Sequence, residues 1–267
     1  MRGLDVAATG MIAAQNQVDN IANNLANANT TAFKRGNAAF VDLIYLDEAR
    51  ALGPVSSVGG DAIMTPVGIQ FGSGARLQSI SKDFSQGGLE KTSGELDVAI
   101  QGTGFFAIEL PDGTTAYTRD GHFKIDPNTN QLVTMQGYVL NPGITVPQNQ
   151  TALVIKRDGT VTAEIPGQVD AQELGNIQLT TFSNLPGLSA IGDNLFAETS
   201  ASGPPNTGTP QQLSFGSLMQ GWLETANVNA VIEITDLIKA QRNYEMNSTV
   251  IKTEDNMLKD VVTLHVA

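Results

Sequence analysis

The chain contains no cysteine, which excludes disulfides, thiolate zinc sites and cysteine nucleophiles in one step. Positive charge is scarce: 15 Lys and Arg stand against 27 Asp and Glu, a formal net charge of −12. Nucleic-acid binding, which neutralises phosphates with cationic surface, is disfavoured, and so is adhesion to an acidic membrane face. The two histidines are His122, beside an Asp-Gly pair, and His265; neither has a neighbouring constellation of titratable residues. Charged residues make up only 16%, below the usual quarter. No run approaches the roughly 18 apolar residues of a membrane span. The opening residues lack the apolar core of a cleaved leader, since Asp5 closely follows Arg2. The expectation is a chain that spans no membrane and is either cytosolic or exported without a cleaved signal peptide.

What is present is a pair of long helical stripes around a glycine-punctuated β-type middle. Leu4, Met11, Val18 and Leu25 recur every seven residues, accompanied by Ala7, Ala14 and Ile21. Leu237, Tyr244, Ile251 and Leu258 do the same near the other end, with Val250, Met257 and Val262 widening the stripe. A seven-residue apolar repeat winds helices around partners. The stripes predict helices over about residues 4–29 and 230–264, pairing as a coiled coil with each other and with copies of the chain, with Asn227 or Asn229 as a cap for the second. Asn20, Asn23, Asn24, Asn27 and Asn29 crowd the end of the first stripe. They read either as a fraying helix end or as amides that bond neighbouring helices and fix their register.

Between the stripes, residues 37–45 are apolar enough to pack, and Gly, Ser and Pro then mark a long loop at 46–66. Alternating runs at 97–100, 105–108, 153–155 and 177–182 predict strands. The Asp-Gly pairs at 112–113, 120–121 and 158–159 predict tight hairpins. Residues 202–210 read as a linker by composition. The fold class expected is α+β, with terminal helices enclosing a mostly antiparallel β middle. The segments are an N-terminal helix (1–30), a loop-rich connection (31–95), a β-rich domain (96–200), a return linker (201–228) and a C-terminal helix (229–267).

Catalytic and cofactor motifs fail their context tests. Gly102-Thr103-Gly104 opens a G-x-G-x-x-A string, but the residues after it read as strand, leaving no helix N-terminus for a pyrophosphate. Residues 126–130 imitate the start of a calcium loop but lack its glycine and its bidentate Glu. No catalytic residue, cofactor or metal ligand is expected. An exported β-rich cell-wall hydrolase stays open as an alternative, since an acidic chain always offers carboxylate pairs.

Several motifs nevertheless resemble one family. Residues 23–35 (NNLANANTTAFKR), 94–106 (GELDVAIQGTGFF), 117–123 (YTRDGHF), 220–229 (QGWLETANVN) and 241–247 (QRNYEMN) are similar, in order, to the bacterial flagellar rod and hook family. Length, residues 33–35 with 40–45, and the 46–66 stretch look most like its distal-rod member. The resemblance implies a non-enzymatic subunit of a helical homo-oligomer: terminal helices line an export channel, and the β domain faces outward. It also implies proximal rod proteins and hook protein as neighbours, the L and P rings as bushing, and export through the flagellar type III apparatus. The expected assembly interface is Leu4, Met11, Val18, Asn20, Asn23, Asn24, Leu25, Asn27 and Phe33 with Leu237, Gln241, Tyr244, Ile251 and Leu258. The 46–66 loop is expected to wedge between subunits and oppose bending, and the terminal helices to fold fully only on assembly. Ala32 stands where the family often has glycine, so a turn needing positive φ there would be strained. His122 replaces a usually small or polar residue.

Overall fold

The computed structural model describes residues 2–49, 54–56, 63–64, 69–150, 152–166, 171–212 and 214–266. Two long helices flank a β-rich middle of mostly antiparallel strands. The chain separates into two compact units: Met1–Ala26, Gly36–Ser81 and Asn229–Ala267 form a helical unit, and Asn27–Arg35 with Lys82–Val228 form a β unit. Residues 31–35 and 201–228 thus belong with the β-rich part, and 36–81 with the helices, a different division from the five segments expected.

In the helical unit, α1 (Arg2–Ala26) ends three residues earlier than its stripe suggests, and a turn over 27–29 follows. The strands β1 (Gly36–Asp42), β2 (Tyr45–Ala49), β3 (Pro54–Ser56), β4 (Ile63–Met64), β5 (Ile69–Gly72) and β6 (Ala75–Lys82) then pair as β1 with β6, β2 with β5 and β3 with β4. The pairs nest in sequence order. The expected loop at 46–66 is therefore corrected in its described parts: Leu46 faces Phe71 in a β2–β5 ladder. Its remaining residues, 50–53, 57–62 and 65–66, lie outside the described residues.

The β unit holds β7 (Leu89–Lys91), β8 (Val98–Gln101), β9 (Phe105–Glu109), β10 (Thr115–Thr118), β11 (Phe123–Ile125), β12 (Leu132–Thr134) and β13 (Val139–Asn141). It continues with β14 (Ala152–Ile155), β15 (Thr160–Glu164), β16 (Gln172–Asn176), β17 (Leu179–Thr181), β18 (Ser189–Gly192) and β19 (Leu195–Ala197). Last come β20 (Asn206–Gly208), β21 (Ser217–Gln220) and β22 (Trp222–Glu224). A nine-stranded sheet runs β11-β12-β13-β9-β10-β19-β18, with β17 joining β9 to β20. Strand β9 sits centrally and is buried on both faces. Phe106 and Ile108 enter one core with Leu132, Leu140, Val161 and Leu179, while Phe105 and Ala107 enter a second with Tyr117, Phe182 and Phe196. Alternation along a strand explains the split.

Two Asp-Gly expectations hold and one does not. Gly113 (φ +79°) turns β9 into β10, and Gly159 (φ +89°) turns β14 into β15. Asp120-Gly121 closes no hairpin, because β10 pairs with β9 and β19 while β11 pairs with β12. Gly121 is demanded for another reason: a Cβ there would collide with the Val98 carbonyl oxygen. The 202–210 stretch is not a linker either, since Ser202 is fully buried and β20 pairs within the sheet. Helix α2 (Ala230–Val266) closes the chain; Asn229 Oδ1 caps it, accepting from the N–H groups of Val231 (3.0 Å) and Ile232 (3.3 Å). Asn227, the other expected cap, does something else.

Candidate assembly interface

The helices α1 and α2 pair through a seam of small and polar residues. A Cβ on Gly3 would strike the Glu254 carboxylate, and a Cβ on Gly10 would lie 2.8 Å from Asn247 Nδ2. Asn24 Nδ2 donates to Glu233 Oε2 at 3.3 Å. The pairs step seven and then fourteen residues up α1 and as many down α2, so the helices run antiparallel in one register. The same step sets Gln17 opposite the fully buried Ala240. At the Gly3 and Gly10 levels small faces large, and the two glycines admit close approach of the backbones. This seam was missed by counting apolar residues. Its signal was a second heptad, Gly3, Gly10, Gln17 and Asn24, one position ahead of the apolar one.

Asn24 is the most committed residue of the seam. Besides Glu233 it binds both polar groups of Gly36, donating from Nδ2 to the carbonyl at 2.9 Å and accepting on Oδ1 from the N–H at 2.8 Å. Asn20 Nδ2 donates to the same carbonyl at 2.9 Å. These amides are therefore spent within the chain, anchoring the start of β1. Asn23 is exposed, and Asn27 is half-buried in the turn beyond the helix.

The apolar residues expected at the interface divide by exposure. Leu4, Met11, Val18 and Leu25 are half-buried, whereas Ala7, Ala14 and Ile21 are buried. Leu237 and Ile251 are half-buried; Gln241, Tyr244 and Leu258 are exposed. Val18, Gln241 and Tyr244 are brought together, lining a groove of about 380 Å³ with Gln15 and Glu245. Much of the apolar surface has no cover in the single chain: Val231 is 74% exposed, and Ile12 and Val262 are each 61% exposed. Ile238, Met246, Val250 and Met257 are likewise open.

Phe33 lies elsewhere, buried in the β unit under the Lys82 ammonium, 4.6 Å from the ring centre. It belongs to a clamp that sequence reasoning did not find. Glu224 is fully enclosed and accepts from Lys34 Nζ on Oε1 (2.7 Å) and from Arg119 Nε on Oε2 (2.8 Å), with the Gly87 N–H also on Oε1 (2.8 Å). Its backbone carbonyl accepts from the Ala32 N–H at 2.8 Å. Asn227 adds to the clamp, accepting from the Arg35 N–H at 2.7 Å and donating to the Asp83 carbonyl at 2.8 Å. Three stretches far apart in sequence are thereby tied. Burial alone would raise the Glu224 carboxyl, but Arg119 and Lys34 hold it below the usual carboxylate range. Burial pushes the Lys34 ammonium down, against the pull of Glu224. Ala32 sits in this turn at φ +56°, the strained conformation expected if the position demands positive φ. His122 is exposed but not isolated, since its Nε2 lies 3.8 Å from Asp97.

Among the described residues no cluster of metal-ligating side chains is formed. The seam between α1 and α2 is one of packing and hydrogen bonding. Residues 4–34 match the family Flagella basal body rod protein, residues 99–163 the Flagellar hook protein FlgE/F/G D1 domain, and residues 219–264 the Flagellar basal body rod FlgEFG protein C-terminal. Those matches define the class, a flagellar rod and hook subunit. Flagellar basal-body rod protein FlgG of Caulobacter vibrioides is 48% identical over 259 residues, 97% of each chain. That of Borreliella burgdorferi is 47% identical over 260 residues, 97% of this chain and 96% of the other. The flagellar hook-basal body complex protein FlhP of Bacillus subtilis is 31% identical over 97% of each. The chain belongs to the FlgG family of flagellar basal-body rod proteins.

Proposed function

We propose that the protein is a structural subunit of the flagellar distal rod, polymerising into a stiff hollow shaft that carries motor torque to the hook and encloses the export channel. The observation that carries this reading is the division of labour on the terminal helices. Their polar, glycine-notched faces pair within the chain, and their apolar faces stay open. In water such faces favour association, at about 25 cal/mol per Å² of apolar surface covered. An open helical polymer needs two different patches that meet head to tail, and two helices with distinct outer faces supply them. In the assembled shaft the open stripes would complete a coiled-coil layer around the channel, with Leu4, Met11, Val18, Leu25, Leu237, Gln241, Tyr244, Ile251 and Leu258 among its contacts.

The relatives named FlgG are more similar than FlhP is, which favours the rod over another hook-basal body role. Proximal rod proteins below, hook protein above and the L and P rings around the shaft follow as neighbours of that reading. Location in the basal body across periplasm and outer membrane, and passage through the type III apparatus, follow in the same way. The 46–66 segment is read as a wedge that opposes curvature. Negative-stain electron microscopy of concentrated protein, alone and with purified hook protein, tests the reading. Straight hollow rods, or rods continuing into hook, are expected. A compact monomer that persists at high concentration, alone and with hook protein, would overturn it.

A further inference from the structure

The β unit contains a cavity of about 430 Å³ that neither the helical stripes nor the clamp explains. Phe84, Phe105, Phe182 and Leu185 form its apolar wall, and Arg119 contributes the cation. The volume and the mix of apolar wall with few polar groups are those of a binding pocket. Arg119 is nearly buried, stacks 5.8 Å from the Phe105 ring centre, and is fixed by Nε to Glu224 and Nη2 to the Gly102 carbonyl at 2.7 Å. Its second terminal nitrogen, Nη1, makes no hydrogen bond among the described residues.

Charge around the cavity is unusual for this chain. Among the described residues, Arg119 is the one charged residue that lines it, with Glu224 behind as its ion partner, in a protein of net charge −12. Gln86 cannot supply a free polar group, because its amide is already bonded to the Ile100 carbonyl and the Gly102 N–H. The polar recognition on offer is a preorganised guanidinium edge beside three phenylalanine rings. That combination suits an apolar group that ends in, or adjoins, a carboxylate.

We propose that this cavity is a socket for a second copy of the chain, taking an apolar side chain that carries or adjoins a carboxylate. It rests on the reading above that copies polymerise. A surface as acidic as this one presents carboxylates to every neighbour, and the socket gives one of them a partner while its apolar flank fills the phenylalanine wall. The contact is head to tail, since socket and knob are different patches.

The experiment has two arms on the full chain. The first titrates isotopically labelled monomer with 3-phenylpropionate and with its neutral amide, following the Arg119 Nε–H and Phe105 signals. The acid is expected to bind about tenfold more tightly, a difference worth about 1.4 kcal/mol, and Thr181→Trp, which fills the lined space, should abolish it. Equal binding of acid and amide, or no response at Arg119 and Phe105, overturns the proposal. The second arm places a photo-crosslinking residue at position 181 in protein under polymerising conditions. A crosslink to an acidic, apolar peptide of another copy supports the socket. Polymers that form without such a crosslink, and form equally well from Thr181→Trp, overturn it. A chain that binds the acid but never polymerises sinks the rod reading, and with it the second copy as occupant.

Discussion

The two units treat apolar surface in opposite ways. In the β unit Phe106, Ile108, Leu132 and Leu140 are sealed completely, and even charge is enclosed, with Glu224 held between Lys34 and Arg119. In the helical unit the sealed positions are Ala7, Ala14, Ile21, Asn24, Glu233 and Ala240, while Ile12, Val231 and Val262 stand open. One unit has buried most of its large apolar residues inside the chain, and the other has spent small and polar residues internally and kept large apolar ones back. Stability should therefore belong to the β unit in the monomer and to the helical unit only on assembly. The difference can be attacked residue by residue.

The largest effect is expected from Glu224→Ala, which strands two buried cations and should destabilise the β unit by about 3–5 kcal/mol. The effect should depend on pH. A carboxyl whose folded pKa is depressed contributes stability above its unfolded value, near 4.5, and loses it as pH falls through the folded value. Denaturant unfolding of wild type and Glu224→Gln should accordingly separate at pH 7 and draw together as pH falls below 4.5 and through the lower folded value. A gap of equal size at both would remove the clamp from the argument.

Asn24→Ala comes next. It removes the acceptor of the Gly36 N–H, one of the two amide donors on the Gly36 carbonyl and one bond to Glu233, at a cost of about 1–3 kcal/mol. Because the loss falls in the helical unit, amide exchange in α1 and at Gly36 should accelerate while exchange in β9 stays unchanged. Protection lost evenly across the chain would mean that the units do not melt separately.

Ala32→Gly should act in the other direction. It relieves a left-handed alanine and is expected to stabilise by up to about 1 kcal/mol, read as a rise in the thermal midpoint. No gain would show that burial of the methyl group outweighs the strain. Smallest on the monomer is Ile238→Asp, an exposed site where change should stay within about 0.5 kcal/mol. On polymerisation the same substitution should be severe, because it puts a carboxylate into an apolar contact. Equal polymerisation of variant and wild type, measured by sedimentation, would mean that this stripe faces solvent in the rod.

How much of this was legible in the sequence follows the range of the interactions. The heptads of Leu4 and Leu237 announced both helices, because their period is local. Asp112-Gly113 and Asp158-Gly159 announced their hairpins for the same reason. Asp120-Gly121 misled because the pair describes a bend and not the strands it joins, and β10 pairs with β19, some eighty residues on. The seam was present as Gly3, Gly10, Gln17 and Asn24, but a search for apolar repeats passes over glycine and amides. The clamp was not legible at all: Lys34, Arg119 and Glu224 are separated by up to 190 residues, and no local pattern couples them. Composition failed at 202–210 because Pro and Gly also punctuate short strands paired in a sheet, as β20 is with β17.

Asn24 and Asn227 hold consecutive residues, Gly36 N–H for one unit and Arg35 N–H for the other. Each of the two residues is thereby fixed within its own unit. Tension along the backbone meets, within one residue, a covalent link whose Cα–Cα span is fixed near 3.8 Å. The turn with its left-handed Ala32 lies outside that path, as the loop of a cable lies behind its strain relief.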